Sequence, residues 1–446
     1  MAIPETVETA AASMSDAEHR MQLRRALIAS TVGTTIEWYD FLLYGTVSAL
    51  VFGPLFFPKS DPLMGVLQSF GVFFIGFVGR PIGAAIFGHW GDRIGRKATL
   101  IATLLLTGIA TTAVGLVPTY DQVGMWGAVI LTVLRLIQGI GVGGEWGGSV
   151  LLAMEWARTN KNRGFLSAWP QFGAPCGLFL ANTAVLGFSY LSGDQFNVWG
   201  WRIPFLVSIV MVGIGMWIRL GIAETPVFRR VVAEERVERV PVLEVLRRQP
   251  KQVILSALLR LPEQGPGFVV GTFIFTYATT VLGQTRNFVL MAVITQTAIG
   301  FMWVVCAGAL SDYIGRKKMY MIGAAFMGIF GFIYFAMLNT GIPWVIFAAI
   351  AISLVPVMTQ YGPEAALIAE SFSPRLRYSG TSIGYQLASI IAGGPAPIIA
   401  TWLFATFHSS LPIAIYISLL AIVGIISTAL LTDYTGKDIS AEYAGV

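Results

Sequence analysis

Gly88-His-Trp-Gly-Asp92-Arg93-Ile-Gly95-Arg96-Lys97 returns, eroded, as Gly308-Ala-Leu-Ser-Asp312-Tyr313-Ile-Gly315-Arg316-Lys317, about half of the 446-residue chain further on. In each copy a long apolar segment runs into the motif and another leaves it. A repeat of half the chain, broken at the same charged loop, predicts two similar helical bundles in tandem. Such an arrangement suits a molecule that rocks one half against the other.

Hydrophobic residues make up 55% of the chain and charged residues only 12%, with a mean hydropathy of +0.71. A soluble domain carries roughly twice that charge, so the solvent is the bilayer. Reading for apolar runs long enough to span it gives segments 26–54, 63–90, 98–118, 124–154, 165–190, 202–221, 252–283, 288–311, 319–338, 343–370, 379–405 and 411–432. The expected fold is an all-α membrane protein with 12 transmembrane helices in two pseudo-symmetric six-helix bundles. The first bundle covers 26–221 and the second 252–432. Between them, 222–251 is a cytoplasmic linker whose mixed charges, Glu234 to Glu244, suggest a short amphipathic surface helix. Residues 1–25 and 433–446 are terminal tails.

Most of the 29 Lys and Arg fall on one side of this layout, including Arg93, Arg96, Lys97, Arg163, Arg219, Arg316, Lys317 and Arg377. The positive-inside rule then puts both termini in the cytoplasm. Lys59, Arg202 and Arg286 stay outside. The first residues lack an apolar core and a small-residue cleavage pattern, so no signal peptide is expected. The net charge of +5 follows from this bias and gives no reason to expect nucleic acid as a partner. Cys176 and Cys306 both lie in spans, and His19, His89 and His408 are scattered, so neither a metal nor another cofactor is expected.

Several stretches carry a family resemblance. Gly88-x-x-x-Asp92-Arg-x-Gly-Arg-Lys resembles the loop signature of the major facilitator superfamily, with Tyr313 replacing the arginine in the second copy. Arg135-Leu-Ile-Gln138-Gly139-Ile-Gly141-Val-Gly143 is similar to the fourth-helix signature of its proton-coupled members. Glu37-Trp-Tyr39-Asp40-Phe-x-x-Tyr44-Gly, Gly144-Glu145-Trp146-Gly-Gly, Glu224-Thr-Pro-Val-Phe and Tyr361-Gly-Pro-x-x-Ala together resemble the metabolite:proton symporter family. Its members carry shikimate, α-ketoglutarate, citrate, or proline and betaine. Gly-Gly-Glu-Trp-Gly-Gly followed by Glu155-Trp-Ala looks most like the shikimate-permease-like branch. The resemblance implies a multi-pass bacterial inner-membrane carrier whose partners are a small organic anion, protons and the lipid bilayer. It is expected to work as a monomer.

Charges inside spans are costly, about 2.5–3.5 kcal/mol each on insertion scales, so each needs a reason. Arg80, Arg135 and Arg260 face Glu37, Asp40, Glu145, Glu263 and Glu364, which leaves an excess of acid and room for a carried proton. Glu37 and Asp40 are three residues apart on one helix, with Tyr44 a turn beyond; Glu37 lies roughly 18 Å past Arg25 along it. An acid on the first helix paired with an arginine on the fourth is similar to the proton switch of sugar–proton symporters in the superfamily. The expectation is therefore an Asp40–Arg135 pair, with Glu37 and Glu145 as further coupling acids. A guanidinium binds carboxylate through two parallel hydrogen bonds, which makes Arg80 and Arg260 candidates for an acidic substrate; an Arg260–Glu263 pair within the protein is the alternative. Tyr39, Trp169, Gln171, Gln264, Tyr277, Tyr361, Tyr385 and Gln386 are polar or aromatic candidates for the same site, together with Tyr44, Glu263 and Glu364. The glycines at 139, 141, 143 and 144 serve close helix approach.

Asp92 ends the second helix, where a carboxylate gains from a neighbouring helix N-terminus. With Gly88, Arg93, Gly95, Arg96 and Lys97 it forms an expected cytoplasmic latch onto the helix starting near Ser379. Asp312, with Arg316, would do the same near Gly164. Glu155 with Arg163, and Glu370 with Arg377, are further latch charges. The function expected is import of a small organic acid, shikimate-like or another carboxylate metabolite, by proton symport with alternating access. Uptake of a zwitterionic osmolyte and proton-antiport export are the alternatives. An enzyme is not expected, since no nucleophile–base setting or metal-ligand spacing occurs.

Overall fold

The computed structural model describes residues 16–94, 96–155, 162–220, 241–373 and 376–437. Apolar runs become helices because a bilayer offers backbone groups no other partner. The first half holds α1 (Asp16–Val47, continuing through Ser48–Phe52 and Gly53–Phe56), α2 (Pro62–Ile94), α3 (Arg96–Val114), α4 (Trp126–Gly143 and Trp146–Glu155), α5 (Arg163–Ser192) and α6 (Ile203–Leu220). The second holds α7 (Pro250–Leu259, Leu261–Phe268 and on through Tyr277–Val281), α8 (Arg286–Ile314), α9 (Arg316–Leu338), α10 (Pro343–Ile352 and Leu354–Glu370), α11 (Arg377–Ala388, Ser389–Gly393 and Pro395–Phe407) and α12 (Leu411–Leu430). Ten of these are long and apolar enough to cross a membrane by themselves. The other two are α3, with a shorter apolar stretch Ala98–Val114, and α7, which breaks at Arg260. The twelve-helix fold read from the apolar runs is the one observed.

Details differ from the expectation at element ends. Helix α1 begins ten residues before the expected span, as a polar extension. Of the expected surface helix only Pro241–Arg248 is described, with Glu244 paired to Arg248; 221–240 lie outside the described residues. The expected tail is folded back over 433–437, where Thr435 Oγ1 accepts from Arg316 N at 3.1 Å.

Within the first half, α1 packs on α5, α2 on α4, and α3 on α4 and α6; within the second, α8 packs on α10, and α9 on α10 and α12. The halves meet along α5–α8 and α2–α11. Glycine makes the α2–α4 seam possible: a Cβ at Gly139 would come within 1.9 Å of Gly76 O, and one at Gly143 within 1.9 Å of Arg80 O. Removing side chains lets the backbones touch, which is how helices gain contact where lipid competes for every apolar surface. That seam fixes the backbone of Arg80 against the middle of α4. Gly315, at φ +102°, supplies the left-handed turn that ends α8 and starts α9.

Candidate functional site

The Arg80 guanidinium is the centre of the site. It is 1% exposed and lies over the rings of Phe41, Trp38 and Phe77, at 4.0, 5.0 and 5.0 Å from their centroids. Its Nε and Nη2 have no hydrogen-bond partner among the described residues. Glu37 of α1, Tyr361 of α10 and Tyr385 of α11 are within its electrostatic reach. Aromatic faces contribute about 2 kcal/mol or more to a desolvated cation, but they leave its in-plane N–H groups unanswered. Buried charged donors without partners are rare enough to point to a missing ligand.

Arg260 is in the opposite condition. Its Nε donates to Glu364 Oε1 at 2.5 Å, Nη2 to Glu263 Oε2 at 3.1 Å and Nη1 to Tyr385 O at 2.5 Å. Gln264 Nε2 donates to both oxygens of Glu263, at 3.2 and 3.1 Å. Of the two candidate arginines, the second is thus already occupied by protein, the alternative that the sequence left open.

The expected Asp40–Arg135 pair is not formed. Gln138, one turn beyond Arg135, intervenes: its Oε1 accepts from Arg135, and its Nε2 donates to Asp40 O at 3.0 Å and Thr111 Oγ1 at 2.6 Å. The Arg135 guanidinium is held over Phe41 at 3.8 Å and over Tyr44 and Phe73 at 4.6 Å each. Neither carboxylate oxygen of Asp40 is hydrogen-bonded, although the Ser208 and Thr111 hydroxyls face it. Glu37 Oε2 is likewise unpartnered. Glu145 pairs with Arg219 of α6, which also donates to Leu100 O. Arg219 had been assigned to the aqueous side; its long side chain instead turns inward and is 5% exposed.

The remaining candidates divide by position. Tyr361 and Tyr385 share a hydroxyl contact at 3.2 Å, and Gln171 receives Trp146 Nε1 at 2.8 Å while donating to Tyr361 O at 3.3 Å. Gln386 donates to Gly143 O at 3.4 Å. Of these, Tyr361 and Tyr385 are within the electrostatic reach of Arg80, and Gln171 joins Tyr361 to Trp146. Three others are engaged elsewhere: Tyr39 OH is spent on Pro204 O at 2.7 Å, Tyr277 OH on Asn339 Oδ1 at 2.6 Å, and Trp169 packs among Phe165 and Phe172. Tyr44 stands by Arg135, with its hydroxyl unpartnered.

Sequence reasoning missed Trp146. Its indole stacks on Tyr385 with ring centroids 3.5 Å apart and planes 18° apart, joining the halves at mid-depth. The signal was present, a tryptophan between glycines beside an acid, but nothing in the chain reveals its partner. The halves also meet at both ends. At the motif end Asp312 accepts from Gly164 N and Phe165 N, both at 2.9 Å. These N–H groups belong to the first turn of α5. Glu370 receives Arg163 Nη1 at 2.9 Å and Arg316 Nη1 at 2.8 Å, while Arg377 Nε donates to Ala369 O at 3.0 Å. Gly95 and the side chains of Asp92, Arg93, Arg96, Lys97 and Glu155 lie outside the described residues, and Gly88 falls within α2. At the opposite end Ser189 Oγ donates to Asn287 Oδ1 at 2.8 Å and receives Arg286 Nε at 3.2 Å.

The chain matches the family described as sugar (and other) transporter over residues 25–253, and that described as MFS/sugar transport protein over 148–408. It is 39% identical to the inner membrane metabolite transport protein YhjE of Escherichia coli (strain K12), covering 92% of this chain and 94% of that one. It is 37% identical to the shikimate transporter of the same organism, with the same coverage of 92% and 94%. In fold it is similar to the proton:xylose symporter XylE bound to 6-bromo-6-deoxy-D-glucose, with a TM-score of 0.74 at 20% identity, covering 95% of this chain and 98% of that one.

Proposed function

This chain belongs to the major facilitator superfamily of sugar and other transporters, and we propose that it imports a small organic acid by proton symport with alternating access. The observation that carries the reading is the unsatisfied guanidinium of Arg80, buried with no acceptor for its Nε and Nη2 among the described residues. A carboxylate is the ligand whose geometry answers two parallel N–H donors. Tyr361, Tyr385 and Glu37 lie within the electrostatic reach of Arg80 and are the neutral and acidic groups that a hydroxylated substrate held there would meet. The likeness to a shikimate transporter supports a shikimate-like hydroxy acid as the first substrate to try.

In this reading Glu37 and Asp40 are coupling acids of the first half. The motif end faces the cytoplasm, in keeping with the distribution of Lys and Arg. The Asp312 and Glu370 contacts close that end and part when the carrier opens inward.

Uptake of radiolabelled shikimate into proteoliposomes with an acidic exterior, with and without an uncoupler, tests this. Unlabelled α-ketoglutarate, citrate, protocatechuate and betaine compete. Uncoupler-sensitive accumulation, displaced by carboxylates and lost in Arg80→Gln, is the expected result. Displacement by betaine in preference to every acid would refute the organic-acid assignment.

A further inference from the structure

We infer that the second half carries a proton-binding site of its own at the Glu263–Arg260–Glu364 cluster, with the proton on Oε2 of Glu364; the inference rests on the symport reading above. In the membrane interior of the first half, among the described residues, Arg80, Arg135 and Arg219 stand against Glu37, Asp40 and Glu145, so cations and acids balance. In the second half Arg260 alone stands against Glu263 and Glu364, and all three are buried. One surplus negative charge in a low-dielectric interior is expensive, and uptake of a proton is the ordinary remedy.

Hydrogen bonding selects the atom. Both oxygens of Glu263 receive donors, from Arg260 and Gln264. Glu364 receives Arg260 on Oε1, but its fully buried Oε2 has no partner among the described residues. An orphaned oxygen on one of two acids sharing one guanidinium is where a proton belongs.

The groups facing this cluster come from every neighbouring element. Besides Gln264 of α7, they are Tyr320 of α9, Tyr361 of α10, Tyr385 of α11 and Arg80 of α2. Arg80 links the cluster to the substrate. Its empty guanidinium disfavours a proton nearby; a carboxylate bound to it cancels that charge and strengthens proton binding at Glu364. By reciprocity the proton strengthens anion binding equally. Anion and proton then load together. Tyr385 joins the cluster to the contact between the halves, because it lies against Arg260, 3.3 Å from guanidinium carbon to ring centroid, and against Trp146 of the first half.

Infrared spectra of the purified full chain in H2O and D2O would measure the D2O-sensitive absorption of protonated carboxyl groups. We expect Glu364→Gln to remove one group's absorption. Glu263→Gln should remove the same one, since it leaves Arg260 a single, ionised partner, and Asp40→Asn should leave it in place. Spectra of both glutamine variants equal to wild type would overturn the inference; Glu263→Gln serves alone if Glu364→Gln does not fold. Shikimate uptake in proteoliposomes forms the second arm. Accumulation in Glu364→Gln is expected to fall to the level seen with uncoupler, while exchange of preloaded shikimate persists. If wild type and Glu364→Gln accumulate alike, the site is refuted and the symport reading stands. If wild type does not accumulate shikimate, that reading fails instead, and the infrared arm still decides where the proton sits.

Discussion

Arg80 and Arg260 are the same residue type at related depths, yet one lacks acceptors and the other has three. The difference predicts opposite responses to a conservative change. Arg80→Lys should raise the KM for a carboxylate substrate tenfold or more, about 1.4 kcal/mol of binding, because an ammonium cannot present two parallel donors. An unchanged KM would remove Arg80 from the substrate. Arg219 tests a different property. Losing one partner of a buried ion pair costs about 3–5 kcal/mol, whereas losing both is far milder. Arg219→Met should therefore lower the melting temperature sharply, and adding Glu145→Met should restore most of it; a double variant no more stable than the single one would contradict the pairing. Apart from Arg219, which residues bear charge in the membrane was legible in the chain, since each is conspicuous among apolar neighbours. Which charges pair was not. Gln138 takes up Arg135 in place of Asp40, and a long side chain carries Arg219 back into the fold, and neither event leaves a trace in spacing.

Among elements, the helices were legible because hydropathy and length decide them, while their interruptions were only partly so. Pro262 and Pro266 stand in the interrupted part of α7, where freed backbone groups need a cavity or a neighbour, whereas the glycines at the break after Gly143 in α4 read simply as close packing. The α2–α4 seam depends on absent side chains. Gly139→Val should abolish folded protein on size-exclusion chromatography, since its Cβ meets Gly76 O at 1.9 Å; a monodisperse, transport-active variant would show that the seam can yield. At the motif end, Asp312 contributes the stabilisation of a carboxylate at a helix N-terminus, roughly 0.3–1 kcal/mol. Asp312→Asn should therefore shift the closed–open balance there by about two- to fivefold on the same scale. Faster maleimide labelling of a cysteine at buried Ser167 would register it. Labelling no faster than in the parent would mean that Asp312 does not hold this end.

At the scale of the whole molecule, the halves touch at the motif end, at Trp146–Tyr385 and at Ser189–Asn287, so the alternating access proposed above must break at least one of these in each half-cycle. Cysteines at Ser189 and Asn287, whose side-chain oxygens are 2.8 Å apart, should cross-link on oxidation and stop transport until reduced. Full transport by the cross-linked protein would show that this end never parts. The two-bundle plan itself was legible from the repeated motif, because the same loop must be rebuilt at the same face of each bundle. The third meeting point was not, because it depends on residues far apart in sequence. One contact extends past the last helix. Arg163 Nη2, on the first bundle, also donates to the carbonyl of Lys437 at 2.5 Å. The described segment that follows α12 is therefore a splint laid across the seam. Trimming the chain ahead of Lys437 would bias the resting population toward the inward-facing form, so the choice of where the protein stops becomes a way to tune which face waits for cargo.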